Sequence, residues 1–158
     1  MRQWKEMQRS FVELVRCGTP AMVAAAAAAD PAAVNAPVVH AHEAALPVVE
    51  AVRRGDAAVL RVLLDAGARL DVQATERTGG CGMETATAAS PLAEALVARR
   101  ADLALLLVAA HRDLRHDPGY QLTSTFEGNV SRTVLELAEE LHDGGAVAAA
   151  IRAKLDAE

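Results

Sequence analysis

Aromatic side chains are nearly absent here: Trp4, Phe11, Tyr120 and Phe126 make up 3% of the chain. Lysine occurs only as Lys5 and Lys154, and the net charge is −5 with both signs mixed along the sequence. No basic stripe forms, so nucleic acid is not an expected partner. No apolar h-region lies among Arg2, Lys5, Glu6, Arg9, Glu13 and Arg16, which argues against a signal peptide. The longest apolar run, Leu103 to Ala110, is too short to span a bilayer. The chain is therefore expected to be intracellular, in the cytoplasm, away from membranes. Cys17 and Cys81 then read as reduced thiols that do not bond each other. No P-loop, G-x-S-x-G or H-E-x-x-H occurs. No catalytic residue, cofactor or metal is expected, and the chain is expected not to be an enzyme.

What is present is alanine and aliphatic residues: 52% of the 158 residues are hydrophobic, with six alanines in a row from Ala24 to Ala29. Alanine favours helix and lets helices approach closely. That length fits one domain, residues 1–158, with a real core. The stretch from Leu46 to Val72 shows how the chain is organised. Pro47 suits the first turn of a helix. Val48, Ala51 and Val52 follow on one face. Arg53 and Arg54 lie at the helix end, where cations favour the dipole. Gly55 stops the helix and Asp56 caps the next. Val59, Leu60, Val62, Leu63 and Leu64 give that second helix a wide apolar face. Gly67 ends it, and the following residues suit an extended exit.

This run resembles an ankyrin repeat. The pattern T-P-L-H-x-A, G-H, V-V-x-L-L-L, G-A-D-V-N is matched by Pro47-Val48-Val49-x-Ala51, Gly55-Asp56, Val59-Leu60-x-Val62-Leu63-Leu64 and Gly67-Ala68-x-Leu70-Asp71. Leu46, Val49 and Arg69 depart from it. Similar figures occur at residues 9–35, 90–114 and 133–158. They are marked by Thr19-Pro20, by Ser90-Pro91-Leu92, and by a Thr133–Glu136 capping box. Ser10 and Glu13 suggest another such box. His111 takes the stop position held by Gly67. The resemblance implies an all-α solenoid of four helix-turn-helix pairs with almost no regular sheet. The copies start at Arg9, Leu46, Ser90 and Thr133, with about 4, 11 and 10 residues beyond the family period of about 33 in the three connections. The extra residues lie in elongated inter-repeat loops, notably Gln73 to Ala89 and Arg115 to Arg132.

The resemblance also implies function: a non-enzymatic protein-protein interaction module, an adaptor or scaffold, gripping another protein through its concave groove and fingers. It is expected to act as a monomer. The exposed end of each first helix matches Arg16 and Cys17, Arg53 and Arg54, Val97 and Ala98, Glu140 and Leu141. Arginine there can meet a carboxylate in bidentate fashion. The third finger holds two of the few aromatics, and Tyr120, Leu122, Ser124 and Phe126 alternate, so an extended finger puts them on one side. The candidate contact residues are thus Arg16, Arg53, Arg54, Tyr120, Leu122, Phe126 and Glu140. The alternative reading is an enzyme or small-ligand protein whose insertion loops build a pocket. His40 with His42, and His111 with His116, read as loop histidines rather than metal pairs. Glu13, Glu50 and Glu94 recur at matching positions and read as the solvated face of each first helix.

Overall fold

The computed structural model describes residues 11–40, 43–80, 83–125, 128–141 and 145–158. They divide into two compact units, Met1–Arg69 and Leu70–Glu158. The first unit holds helix α1 over residues 11–17, α2 (Pro20–Ala29), a 3-10 turn at Pro31–Asn35, strands β1 (Val38–His40) and β2 (Glu43–Ala45), then α3 (Pro47–Arg54) and α4 (Ala57–Asp65). The second holds β3 (Ala74–Gly80), β4 (Met83–Ala89), α5 (Pro91–Val97), α6 (Ala101–Ala110), a 3-10 turn at Leu114–His116, β5 (Tyr120–Ser124), β6 (Gly128–Arg132), α7 (Val134–Leu141) and α8 (Ala146–Ala157).

Local chemistry sets the helix ends. Thr19, Asp56 and Ser90 each accept a hydrogen bond from a backbone N–H in the first turn of the helix that follows. Pro20, Pro47 and Pro91 occupy the opening turns, where the missing N–H costs nothing. Gly55, at φ 76°, closes α3 in the left-handed region that suits glycine. Thr133 and Glu136 form a complete capping box: the Glu136 N–H donates to Thr133 Oγ1 at 3.2 Å, and the Thr133 N–H donates to Glu136 Oε2 at 2.8 Å.

Apolar faces then bury against each other. In the first unit α4 packs on α2 and α3, and Val15, Val23, Val49, Val52, Leu60 and Leu63 are fully buried. Asn35 ties the end of this unit together: its Nδ2 donates to the Gly67 carbonyl at 3.0 Å and its Oδ1 accepts from the Arg69 N–H at 2.7 Å. In the second unit α5 packs on α6 and α7, α8 packs on α6 and α7, and Leu92, Leu96, Leu103, Leu107 and Ile151 fill the centre. Each such side chain stabilises the fold by about 1.5–3 kcal/mol.

The strands overturn the all-α, ankyrin-type solenoid. The chain is mixed α/β, with six strands among the described residues and every pairing antiparallel where its register is given. β1 and β2 form a hairpin in the first unit. In the second, β3, β4, β5 and β6 pair in sequence order as a meander. The segments expected to be elongated loops are these hairpins. Their period-2 pattern, Thr75 and Arg77 facing Ala88 and Ala86 with the Glu76–Thr87 pair between, is that of strands, and glycines bend the ends. Counting them as surplus over a helical repeat measured their length and missed their alternation.

His111 also departs from expectation. It lies at φ −65°, ψ 130°, extended rather than left-handed, and α6 ends without a left-handed stop there. Among the described residues the left-handed non-glycine residue is Arg99, at φ 56°.

Candidate functional site

The meander of the second unit sorts its side chains by face. Tyr120 stands opposite Ala89 on one side and Arg132 on the other; Leu122 stands opposite Thr87 and Val130. Opposed residues share a face, and the next pair but one shares it too. Tyr120, Leu122, Val130 and Arg132 therefore line one face, with Glu76 opposite Thr87 at its margin. Tyr120, Leu122 and Val130 are all half-buried. The other face carries Gln121, Thr123, Asn129 and Ser131, all exposed and polar.

The sequence Asp117-Pro118-Gly119 sets where β5 begins. Asp117 Oδ1 accepts the Gly119 N–H at 2.8 Å, and the Gly119 carbonyl accepts the Ser90 N–H at 2.9 Å. Gly119 has φ +66°, and a Cβ there would collide with the Arg132 carbonyl oxygen. The turn thus fastens Tyr120 beside the start of α5. Glu94 lies one turn into that helix, its N–H donating to the Ser90 carbonyl at 2.9 Å. Burial first, then the Glu94 charge, push the Tyr120 phenol above its ordinary range. Arg132 reaches along α7, its Nε donating to Glu140 Oε1 at 2.9 Å. Tyr120, Leu122 and Glu140 are thereby brought into one neighbourhood, with Glu94, Val130 and Arg132. The predicted Phe126 lies outside the described residues.

The predicted arginines form a second group, in the first unit. Arg16 Nε donates to Glu50 Oε2 at 2.8 Å, and Arg53 donates to Glu50 Oε1 at 3.4 Å. Arg16 also bonds Glu13, and its guanidinium pKa is raised, chiefly by the hydrogen bond to Glu50. Arg54 donates to the carbonyls of Val15 and Gly18 at 2.9 and 2.6 Å and pairs with Asp56. These guanidiniums hold α1 to α3. Glu50 is only 6% exposed, so its reading as a solvated residue is wrong: two arginines beside it make burial tolerable.

The histidines go separate ways. His111 is buried, its Nε2 3.0 Å from Asp117 Oδ2, while its Nδ1 is buried without a hydrogen-bond partner. His116 is exposed and its Nδ1 meets Asp113. Among the described residues no group of three or more His, Cys, Asp or Glu is placed to hold a metal ion. The His40 side chain, His42 and Cys81 lie outside what is described, as does Ser10 of the proposed first capping box. Cys17 is a free, exposed thiol donating to the Glu13 carbonyl at 2.9 Å. No described helix is long and apolar enough to cross a membrane.

Sequence reasoning missed Val130, Arg132 and the Tyr120–Glu94 neighbourhood, because they follow from strand register. Strand alternation in 128–132 was the available signal. No family model, curated protein or solved structure matches the chain, and so none identifies ankyrin repeats.

Proposed function

We propose that this chain is a non-enzymatic protein-binding module, an adaptor that takes a partner on the sheet face bearing Tyr120, Leu122 and Val130. One observation carries the reading. The large side chains of the third hairpin lie on a single face and stay half-exposed, where a core role would bury them. Aromatic and branched residues grouped this way beside charged ones are typical of binding hot spots.

The test is a Tyr120→Ala, Leu122→Ala double variant, compared with the parent in affinity capture from the native cell and in thermal melting. Loss of a captured protein with an unchanged melting curve is the expected result. A variant that melts much earlier, by the few kcal/mol per side chain of a core truncation, would show that these residues hold the fold and bind nothing.

A further inference from the structure

We infer that the chain pairs with a second copy of itself along the edge of β6, by antiparallel strand addition with the two-fold axis at Val130. The contact is made by the backbone of the strand edge rather than by the Tyr120 face, so the dimer and the adaptor reading stand or fall separately.

β6 ends the sheet, with β5 as its one strand neighbour among the described residues. On an edge strand, alternate residues turn their N–H and C=O away from the sheet. Here those residues can be named. The Arg132 carbonyl approaches Gly119, on the β5 side. The backbone groups of Arg132, and by alternation those of Val130 and Gly128, therefore face β5. Those of Asn129 and Ser131 face outward, and both residues are exposed. The Ser131 carbonyl accepts a surface hydrogen bond from the Arg132 guanidinium at 3.1 Å and keeps a second lone pair. Proline, lysine and bulges are the usual means of blunting an edge. β6 has none of them: Gly128 to Arg132 stay in unbroken register with β5.

What fits such an edge is an extended strand, and β6 is its own complement. With the two-fold at Val130, Asn129 of one copy stands opposite Ser131 of the other. Their outward groups exchange N–H···O=C bonds, and symmetry repeats the exchange at the other end of the seam. Val130 meets Val130 of the second copy as a close, non-hydrogen-bonded pair, apolar on apolar. Arg132 stands opposite Gly128 of the second copy. The two Arg132 residues then lie about 14 Å apart along the strands, beyond the screening length. Both faces continue in kind across the seam. Gln121 and Ser131 run on to Asn129 and Thr123 of the second copy, and Leu122 and Val130 run on to its Val130 and Leu122. A two-fold at Asn129 or Ser131 would instead set Val130 against Gly128 or Arg132. One five-residue strand a side falls short of a standard interface, so the pairing is reversible and concentration-dependent. The monomer expected from the sequence is then the dilute form.

The experiment follows the full chain by sedimentation velocity from about 10 μM to about 1 mM, where the parent should pass from monomer to dimer. Two variants test the register: Asn129→Lys with Ser131→Lys, and Asn129→Asp with Ser131→Asp. Each sets like charges opposite at both ends of the seam and should weaken self-association at least about tenfold. Mixed in equal amounts they set lysine against aspartate, and the mixture should dimerise at least as tightly as the parent. High salt should shrink both effects. Circular dichroism checks the fold. Should either variant not fold, Ser131→Pro removes an outward N–H without touching the β5 ladder and should weaken the dimer likewise. The Tyr120→Ala, Leu122→Ala variant should remain dimeric. A parent that stays monomeric throughout overturns the inference and leaves the Tyr120 face to the capture experiment. A dimer that the charged variants and Ser131→Pro leave unchanged also overturns it, because the copies then meet elsewhere. So does a dimer lost in Tyr120→Ala, Leu122→Ala but kept in the charged variants, which puts the second copy on the face. A monomeric parent that captures a protein which the charged variants lose overturns it as well, because the edge then pairs with a foreign strand.

Discussion

Helices α3 and α5 begin alike, with Pro47-Val48-Val49-Glu50 in one and Pro91-Leu92-Ala93-Glu94 in the other, and their carboxylates end in different states. Glu50 is buried between Arg16 and Arg53. Glu94 is half-exposed beside Tyr120, and the residue three further on, where α3 has Arg53, is Val97, itself 46% exposed. The turns differ in the same sense. α3 stops at Gly55 in the left-handed region, whereas α5 is followed by left-handed Arg99, whose guanidinium caps the end of α7 at the Leu141 carbonyl. One unit has turned its glutamate inward as a helix clamp. In the other it stays half-exposed.

The sharpest way to break this comparison is to remove both carboxylates. Glu50→Ala leaves Arg53 and the half-exposed Arg16 without their shared partner, and should cost about 2 kcal/mol, less than the 3–5 of a fully buried pair because water reaches Arg16. Glu94→Ala should cost under about 1 kcal/mol. Equal losses in chemical denaturation would dissolve the distinction. The turns come next. Gly55→Ala places a Cβ at φ 76° and should cost about 1–2 kcal/mol. Arg99→Gly relieves the left-handed strain but deletes the cap on α7, so its melting temperature should stay close to the parent's. A large destabilisation there would mean that the Leu141 contact outweighs the strain.

Smaller again is the cap of α7. Thr133→Ala should cost about 1 kcal/mol. The Thr133 backbone N–H, its largest influence, and then the hydroxyl hold Glu136 below the ordinary glutamate range. A depressed carboxylate stabilises the fold above its unfolded value and loses that contribution as the pH falls through its folded value. The gap between Thr133→Ala and the parent should therefore narrow in acid. The least effect belongs to Tyr120. Its raised phenol favours the neutral form in the fold, so that contribution is present below the ordinary tyrosine range and lost as the pH rises through the folded value. Ultraviolet titration should find Tyr120 ionising later than a free phenol, and Glu94→Gln should move it part of the way back.

The helix starts and stops were legible because they depend on residues adjacent in sequence. Proline at the first turn, Asp56, Ser90 and the Thr133–Glu136 pair each act within one turn of the backbone. The strands were equally written in the sequence, as alternation around glycine, but a helical-repeat frame reads such segments only as surplus length. The fate of Glu50 could not be read, because Arg16 reaches it from another helix. Tyr120 and Leu122 were found by alternation within β5. Alternation within β6 puts Val130 and Arg132 on one face, but that this is the Tyr120 face needed the register between the strands, which no local pattern supplies.

The meander carries a kinetic consequence. Each hairpin joins strands separated by a short turn, whereas the β4–β5 seam joins residues with two helices between them, as in the Thr85–Ser124 pair. Closing a longer loop costs more entropy, so local hairpins should zip early and the seam should form only after α5 and α6 have docked. Pulse-labelled hydrogen exchange should show amides of residues 85–89 and 120–124 gaining protection after those of α5 and α6; simultaneous protection would refute this order. Until the seam closes, two hairpins expose unpaired edges, and it is in that interval that the chain is most open to pairing with the wrong molecule.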